Sequence, residues 1–398
     1  MSEVRLKRLF ESVSGGSWGT EPEEGEVTLP CIRGTDFDYP ALRSTIATAP
    51  VRGFSHHEVA KRAARRGDLI IEKSGGGEKQ PVGRVVLHDF DDLVMPTNFA
   101  SRLTPSEANE SRFLTYLMSS LYAGGTTKSS IKQTTGIQNL DVQSFLDTVV
   151  FQPSLPEQRA IADFLDAETA RIDALIEKKR RLASLLRVRY REEQRTRMMQ
   201  NLDPITGLGL RVPGWRVAQL GALVGLQRGH DLPIDRRNDG TVPIISSGGQ
   251  SGWHDEAAVT GPGVVTGRYG TVGEVFYVEG PYWPLNTTLY VADFRGRNPR
   301  WVYHLLSVLP LDSDSAKSAV TGINRNVIGV LRVPVPPLDE QHRLSEELDA
   351  EASRVELLTQ RLDRQIELLT EHRQALITAA VTGQVDVPGA FVKDSPPD

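Results

Sequence analysis

The chain has 398 residues, 39% of them apolar and 24% charged, with five Trp and a formal net charge of -5. That is enough chain for two or three domains with cores of their own, and too ordinary a composition for a disordered or fibrous protein. The negative balance argues against a generic polyanion binder, and the one cysteine, Cys31, excludes a disulfide framework or a thiolate metal site.

In chain order, MSEVRLKRLF lacks the apolar core of a secretory signal, and no run approaches the roughly 18 to 20 apolar residues of a membrane helix. A cytoplasmic protein without membrane contact is expected. Residues 1–153 alternate short β-branched runs such as LII and VGRVVL with Gly- and Pro-rich turns, then give one helical stretch, RFLTYLMSSL at 112–121. This reads as an α/β (α+β) domain with a strongly curved sheet. A long helix over about 156–198 follows Pro153 and Pro156, and Ser154 with Glu157 has capping-box spacing. Ile161, Leu165, Glu168, Ile172, Leu175, Lys179, Leu182 and Leu186 alternate spacings of 4 and 3, the seam of a heptad repeat. At about 1.5 Å rise per residue the helix is roughly 60 Å long, more than one globular core needs.

NLDPITGLGLRVPG at 201–214 has the Gly and Pro density of a boundary. A second globular region runs to 336 with the same texture (PGVVTG, GEVFYV, TTLYV), and a second long helix is expected over about 339–381. Its seam is Leu344, Leu348, Glu351, Val355, Leu358, Leu362, Gln365, Leu369, His372 and Leu376. Residues 156–200 carry 11 Lys/Arg against 8 Asp/Glu and residues 338–382 carry 5 against 10, so the two helices are expected to pair with each other. Leu175→Asp or Leu358→Asp in such a seam should cost several kcal/mol. The tail from 383 should fray, although GQVDV can add a strand.

The two halves are copies of one plan. LPEQRAIADFLDAETARIDALIE at 155–177 and LDEQHRLSEELDAEASRVELLTQ at 338–360 share nine of 23 letters at an offset of 183. Upstream, TTGIQN at 134–139 answers VTGINR at 320–325, RFLTYLMSSL answers RWVYHLLSVL at 300–309, and PTN at 96–98 answers PLN at 284–286. GDLIIEKSG at 67–75 aligns with PGVVTGRYG at 262–270, which sets Lys73 against Arg268. Asn98 and Asn286 also match, and an Asn bonding its own backbone at a strand start accounts for them.

Catalytic signatures are missing: no phosphate loop, no H-E-x-x-H, no G-x-S-x-G, and His56 beside His57 cannot face one metal as an i, i+4 pair would. No catalytic residue, metal site or cofactor is therefore expected in this chain. Binding fares better, because glycine-flanked polar loops recur at matching places and let a backbone approach phosphates, with a cation at the same point of each copy. Basic letters cluster in KRAARR at 61–66 and RGRNPR at 295–300, within globular regions that are otherwise near neutral, and in KKRR at 178–181 of the first long helix. A modest DNA affinity completed by another basic subunit fits that balance. A coiled-coil scaffold whose globular domains bind proteins is the alternative reading.

Globular region, proline turn and L-x-E-Q-x-x-[IL] helix, repeated once, resembles the DNA specificity subunit of type I restriction-modification systems. The stretch from GWRVAQLGALVGLQRGHDLP through TTLYVADF looks like one class of that family's target recognition domains. The resemblance implies target recognition domains at 1–153 and 201–336, spacer helices at 154–200 and 337–382 pairing as an antiparallel coiled coil that separates them, and a tail at 383–398. It also implies internal pseudo-two-fold symmetry. Each domain would read one half of a bipartite asymmetric site on double-stranded DNA. Two adenine methyltransferase subunits carrying S-adenosylmethionine would dock on the helices, and motor-nuclease restriction subunits would join for cleavage. Arg33, Lys73, Lys128, Arg228, His230, Gln250, Arg268, Tyr269 and Lys317 are assigned to DNA contact. Ile161, Leu165, Ile172, Leu175, Leu182, Leu186, Leu344, Leu348, Val355, Leu358, Leu362 and Leu369 are assigned to the helix seam.

Overall fold

A computed structural model describes residues 2–133, 136–209, 212–268, 273–311, 323 and 325–390. The chain divides into two compact units, residues 1–179 with 364–398, and residues 180–363.

In the first unit the main sheet runs in the order Phe10–Gly15, Ala100–Pro105, Leu69–Glu72, Val85–Leu87, Arg43–Ser44, Phe37–Asp38. Leu69, Ile70 and Ile71 are all fully buried, so this central strand is apolar on both faces rather than alternating. Leu69, Ile71, Val85, Leu87 and Leu103 meet the short helix Ser111–Ala123 through Phe113, Leu114 and Leu117. The opposite face packs Ile70, Val86 and Ala100 against Ile32, Phe37 and Val94. A smaller sheet orders Met95–Pro96, Val27–Ile32 and Val51–Phe54, its first pair parallel. Ser2–Arg5 pairs with Val149–Gln152 at the foot of the first long helix.

The second unit repeats this plan. Gly225–Arg228, Thr288–Asp293, Gly263–Gly267 and Val275–Val278 form its main sheet, and Trp283–Pro284, Val242–Ser246 and Gly249–His254 the smaller one, again with a parallel first pair. Arg216–Gln219 pairs with Arg332–Val335, and the short helix Pro299–Leu306 buries Trp301, Val302 and Leu305. The two extra strands of the first unit come from an excursion, Arg33–Pro50, between Ile32 and Val51; in the second unit only Ser247 and Gly248 join the corresponding strands.

The long helices are Leu155–Met199 and Leu338–Val381, within a residue of the bounds the heptads indicate. Glu157 accepts from the Ser154 N–H at 2.7 Å and closes the first N-terminus. Within each unit the halves of the two helices run antiparallel. Arg373 pairs with Asp173 at 3.0 Å and Lys179 donates to Gln365 at 2.7 Å in the first unit; Arg187 meets Asp363 at 3.6 Å and Arg197 meets Glu347 at 3.3 Å in the second.

Only half of the expected seam faces inward. Ile161, Leu165, Ile172, Leu344, Leu348 and Val355 are buried, and Leu186, Leu362 and Leu369 are half-buried. Leu175, Leu182 and Leu358, by contrast, are 42%, 48% and 37% exposed. The second column slips by one residue on both helices: Thr169, Ile176 and Ala183 are buried where Glu168, Leu175 and Leu182 were expected, as are Ala352 in part and Thr359 in place of Glu351 and Leu358. A 4-then-3 and a 3-then-4 alternation fit a 3.5-residue period equally well, and choosing the larger leucines selected the wrong one.

The ends also differ from expectation. GQVDV adds no strand; instead Val387 and Ala390 are buried in the first unit's core. The boundary segment is anchored, with Leu202 buried and the Pro204 carbonyl accepting from Arg332 N–H at 2.8 Å. Among the described residues no helix is long and apolar enough to cross a membrane, and no cluster of three or more His, Cys, Asp or Glu is placed to hold a metal ion.

Candidate nucleic-acid interface

Each unit brings a glycine turn, the PTN or PLN loop and a cation together in the same way. In the first unit Ser17 N–H donates to the Pro96 carbonyl at 2.9 Å, and a Cβ on Gly16 would stand 1.9 Å from that oxygen. In the second, His230 N–H donates to Pro284 at 2.7 Å, and a Cβ on Gly229 would stand 2.1 Å from the Leu285 oxygen. Only glycine permits this approach, so these glycines set the backbone while the next residue, Ser17 or His230, differs.

The aligned cations occupy one backbone slot. Lys73 N–H donates to Phe99 O at 2.8 Å and its carbonyl accepts from Leu140 N–H at 2.8 Å; Arg268 N–H donates to Thr287 O at 2.8 Å and its carbonyl accepts from Ile323 N–H at 2.9 Å. The Lys73 ammonium is half-buried, and desolvation, then the Arg62 charge, hold its pKa below the usual lysine value. Arg62 donates to the Gly16 carbonyl at 2.9 Å, fixing the turn from its other side. Beside Lys73, burial raises the pKa of the Glu72 carboxyl against the opposing pull of Arg84. Phe99, the residue that anchors Lys73, is 55% exposed, an aromatic surface beside a cation of the kind on which bases stack.

Arg228 and His230 join Arg268 around the Pro284–Thr287 turn. Arg228 Nε donates to Asn286 O at 3.3 Å, and His230 Nε2 lies 3.4 Å from the Tyr290 hydroxyl. Asn286 donates its side-chain amide to Asp231 rather than to its own backbone. Gln250 is exposed on the hairpin whose other strand pairs with Pro284. Arg33 is committed elsewhere, its guanidinium forked onto Asp36 at 2.8 and 3.0 Å and onto Thr48 O at 2.6 Å. Lys128 is exposed in the 3-10 turn Thr126–Ser130. Tyr269 and Lys317 lie outside the described residues.

Sequence reasoning missed what the repeated letters of the long helices do. Gln158 and Gln341 are fully buried; each donates to the carbonyl of the preceding proline turn, Pro153 at 2.9 Å or Pro336 at 3.0 Å, and accepts from the N-cap N–H of the short helix, Glu110 at 2.9 Å or Asn298 at 3.1 Å. Asp166 takes Arg112 at 2.8 Å and the Tyr116 hydroxyl at 2.7 Å; Asp349 takes Arg300 at 2.8 Å and His304 Nε2 at 2.9 Å. One bond to each Gln and an ion pair to each Asp thus clamp the long helix to the short helix of its own unit, while the second Gln bond ties the long helix to the proline turn before it. The signal was present as identical EQ and LDAE letters at matched positions, but the heptad drew attention to leucines.

A sequence-family model for the type I restriction modification DNA specificity domain matches residues 34–184 and again residues 213–368. Among curated proteins, the type I restriction enzyme EcoprrI specificity subunit of Escherichia coli is 24% identical over 136 residues, covering 33% of this chain and 34% of that one. The EcoBI specificity subunit of Escherichia coli is 30% identical over 90 residues, covering 22% of this chain and 19% of that one. These alignments therefore span a minor share of either relative's length. Among solved structures, a chain from work on complex assembly and conformational transition of the type I R-M system superposes with a TM-score of 0.75 at 16% identity, covering 96% of this chain and 98% of that one. The HsdS subunit from Thermoanaerobacter tengcongensis gives 0.55 at 18% identity, covering 96% and 97%. At those identities the likeness is one of fold.

Proposed function

The chain belongs to the type I restriction modification DNA specificity family, and from that membership we propose that its two globular regions read the two halves of a split, asymmetric site on double-stranded DNA. The observation that carries this reading is the shared slot of Lys73 and Arg268. One framework presents a cation at an equivalent point of each unit, beside side chains that differ, Ser17 against His230. Cations position phosphates or read guanine edges, and the differing neighbours make the two half-sites unlike.

In this reading the chain recognises DNA and carries no chemistry. S-adenosylmethionine belongs to methyltransferase partners in the cytoplasm, and motor-nuclease subunits join for cleavage. Two partner copies are supported by leucines that the helix seam leaves outside. Leu175 and Leu368 in the first unit, and Leu185 and Leu358 in the second, stand at the same level of their antiparallel halves and are exposed; an offset of 183 relates the two pairs. Equivalent apolar patches suit two copies of one partner.

Co-expression of the chain with its adenine methyltransferase, followed by methylome sequencing, tests the reading. Lys73→Glu should abolish or relax one half-site and Arg268→Glu the other; unchanged methylation in both variants would overturn it. Lengthening each long helix by four residues adds about 6 Å and should lengthen the unread spacer by about two base pairs at 3.4 Å per step, with both half-sites kept.

A further inference from the structure

The two units differ most at the edge of the main sheet. In the first unit the excursion lays Arg43–Ser44 and Phe37–Asp38 beyond Val85–Leu87. Leu87 N–H donates to Leu42 O at 2.8 Å, Leu42 packs against the core, and the Pro40 carbonyl accepts from Arg373 at 2.5 Å, which is itself paired with Asp173. In the second unit the corresponding strand, Val275–Val278, ends the sheet among the described residues, and it is half-buried where Val85–Leu87 is buried. Beside it lies a groove of about 730 Å³ walled by Val275, Tyr303, Tyr190 and Glu356. The offset of 183 sets Tyr190 and Glu356 where Arg373 and Asp173 stand in the first unit. The groove is therefore at the place that the first unit fills with its own chain.

We propose that this groove takes an extended segment of a protein partner. The segment adds a strand to Val275–Val278, seats an apolar side chain as Leu42 is seated, and turns carboxylates toward Arg187, Arg191 and Arg195. An edge strand offers a row of unpaired N–H and C=O groups that a peptide backbone satisfies, with side-chain pockets giving selectivity. The three arginines are four residues apart along one helix, so they share a face at the groove wall, and they replace the neutral Thr370, Gln374 and Thr378 of the first unit. Nucleic acid fits less well, because it has no peptide N–H and C=O groups to continue the sheet from Val275–Val278.

The probe is a fluorescein-labelled peptide of residues 36–48, DFDYPALRSTIAT, the excursion offered in trans to the full chain and followed by anisotropy and by hydrogen exchange of Val275–Val278. The peptide should bind and slow exchange at that strand. Ala352→Trp, which fills the groove, the triple change Arg187→Glu, Arg191→Glu and Arg195→Glu on the exposed helix face, and a peptide with Leu42→Asp should each weaken binding by about tenfold or more. Replacing Ser247–Gly248 with residues 33–50 should close the groove from within and block the peptide. The proposal is overturned if the peptide fails to bind, binds all variants equally, or if protection of Val275–Val278 comes from a short DNA duplex or from self-association instead. None of these readouts uses methylation, so the result is separate from that of the half-site experiment.

Discussion

The two units keep one framework down to equivalent hydrogen bonds, and they differ in the residues that the framework presents. Gln158 and Gln341, Asp166 and Asp349, Gly16 and Gly229 bond or pack alike in both. Ser17 against His230, Lys73 against Arg268, and an 18-residue excursion at 33–50 against the two residues Ser247 and Gly248 are where they part. Among the letters kept between the halves, these Gln and Asp side chains bond inward and these glycines permit close approach, whereas Leu175 and Leu358 are kept and exposed. One framework that presents different side chains depends on that division, since changing a buried clamp costs stability while changing an exposed loop side chain costs little.

The sharpest way to break the comparison is at the glycines. Gly16→Ala and Gly229→Ala each force a Cβ into a backbone oxygen, and each should lose about 3 kcal/mol; thermal denaturation in which only one variant suffers would show that the close approach is not shared. Next come Gln158→Ala and Gln341→Ala, which leave a buried N–H and a buried carbonyl without partners. About 2 kcal/mol apiece is expected, read by denaturant titration, with similar losses in the two halves.

A smaller effect should separate the units. His304 is buried between Gln194 and Asp349, with Arg300 on the same carboxylate, while the first unit has Tyr116 at that point. Desolvation lowers the His304 pKa, opposed by Asp349. The folded state therefore holds the neutral ring, so stability is present above the unfolded value of about 6.5 and is lost as pH falls through the folded value. Unfolding of the second unit should grow easier on acidification below about pH 6.5, and His304→Tyr should flatten that slope. The smallest change in stability belongs to Leu175→Asp and Leu358→Asp. Both side chains are exposed, so the chain should lose only about 0.5 kcal/mol, in place of the several kcal/mol that a seam position implies. Under the proposed docking role, weaker co-purification of a methyltransferase partner should be the visible consequence, and undiminished co-purification would remove these leucines from the proposed docking surface.

Much of the architecture was legible because the repeat is written in the letters. Two globular copies, two long helices within a residue of their ends, and the correspondence of Lys73 with Arg268 all followed from periodicity and alignment. The phase of the helix seam did not, because a 3.5-residue spacing admits two alternations and Leu175 beside Ile176 satisfies either. Arg33 showed the same limit in the loops: its letter promised a free cation, and Asp36 with Thr48 had already taken it.

By itself, then, the sequence determined the duplication, the element types and the family, since these depend on patterns that extend over tens of residues and survive local ambiguity. Tertiary structure decided which side chains are free to act. Burial and partner choice depend on residues far apart in the chain: Asn298 N–H meets Gln341, Arg112 reaches Asp166, and the segment after Ile32 covers a strand whose counterpart ends its sheet among the described residues. No local pattern encodes those meetings, because their free energy arises only when packing brings the distant groups within bonding distance.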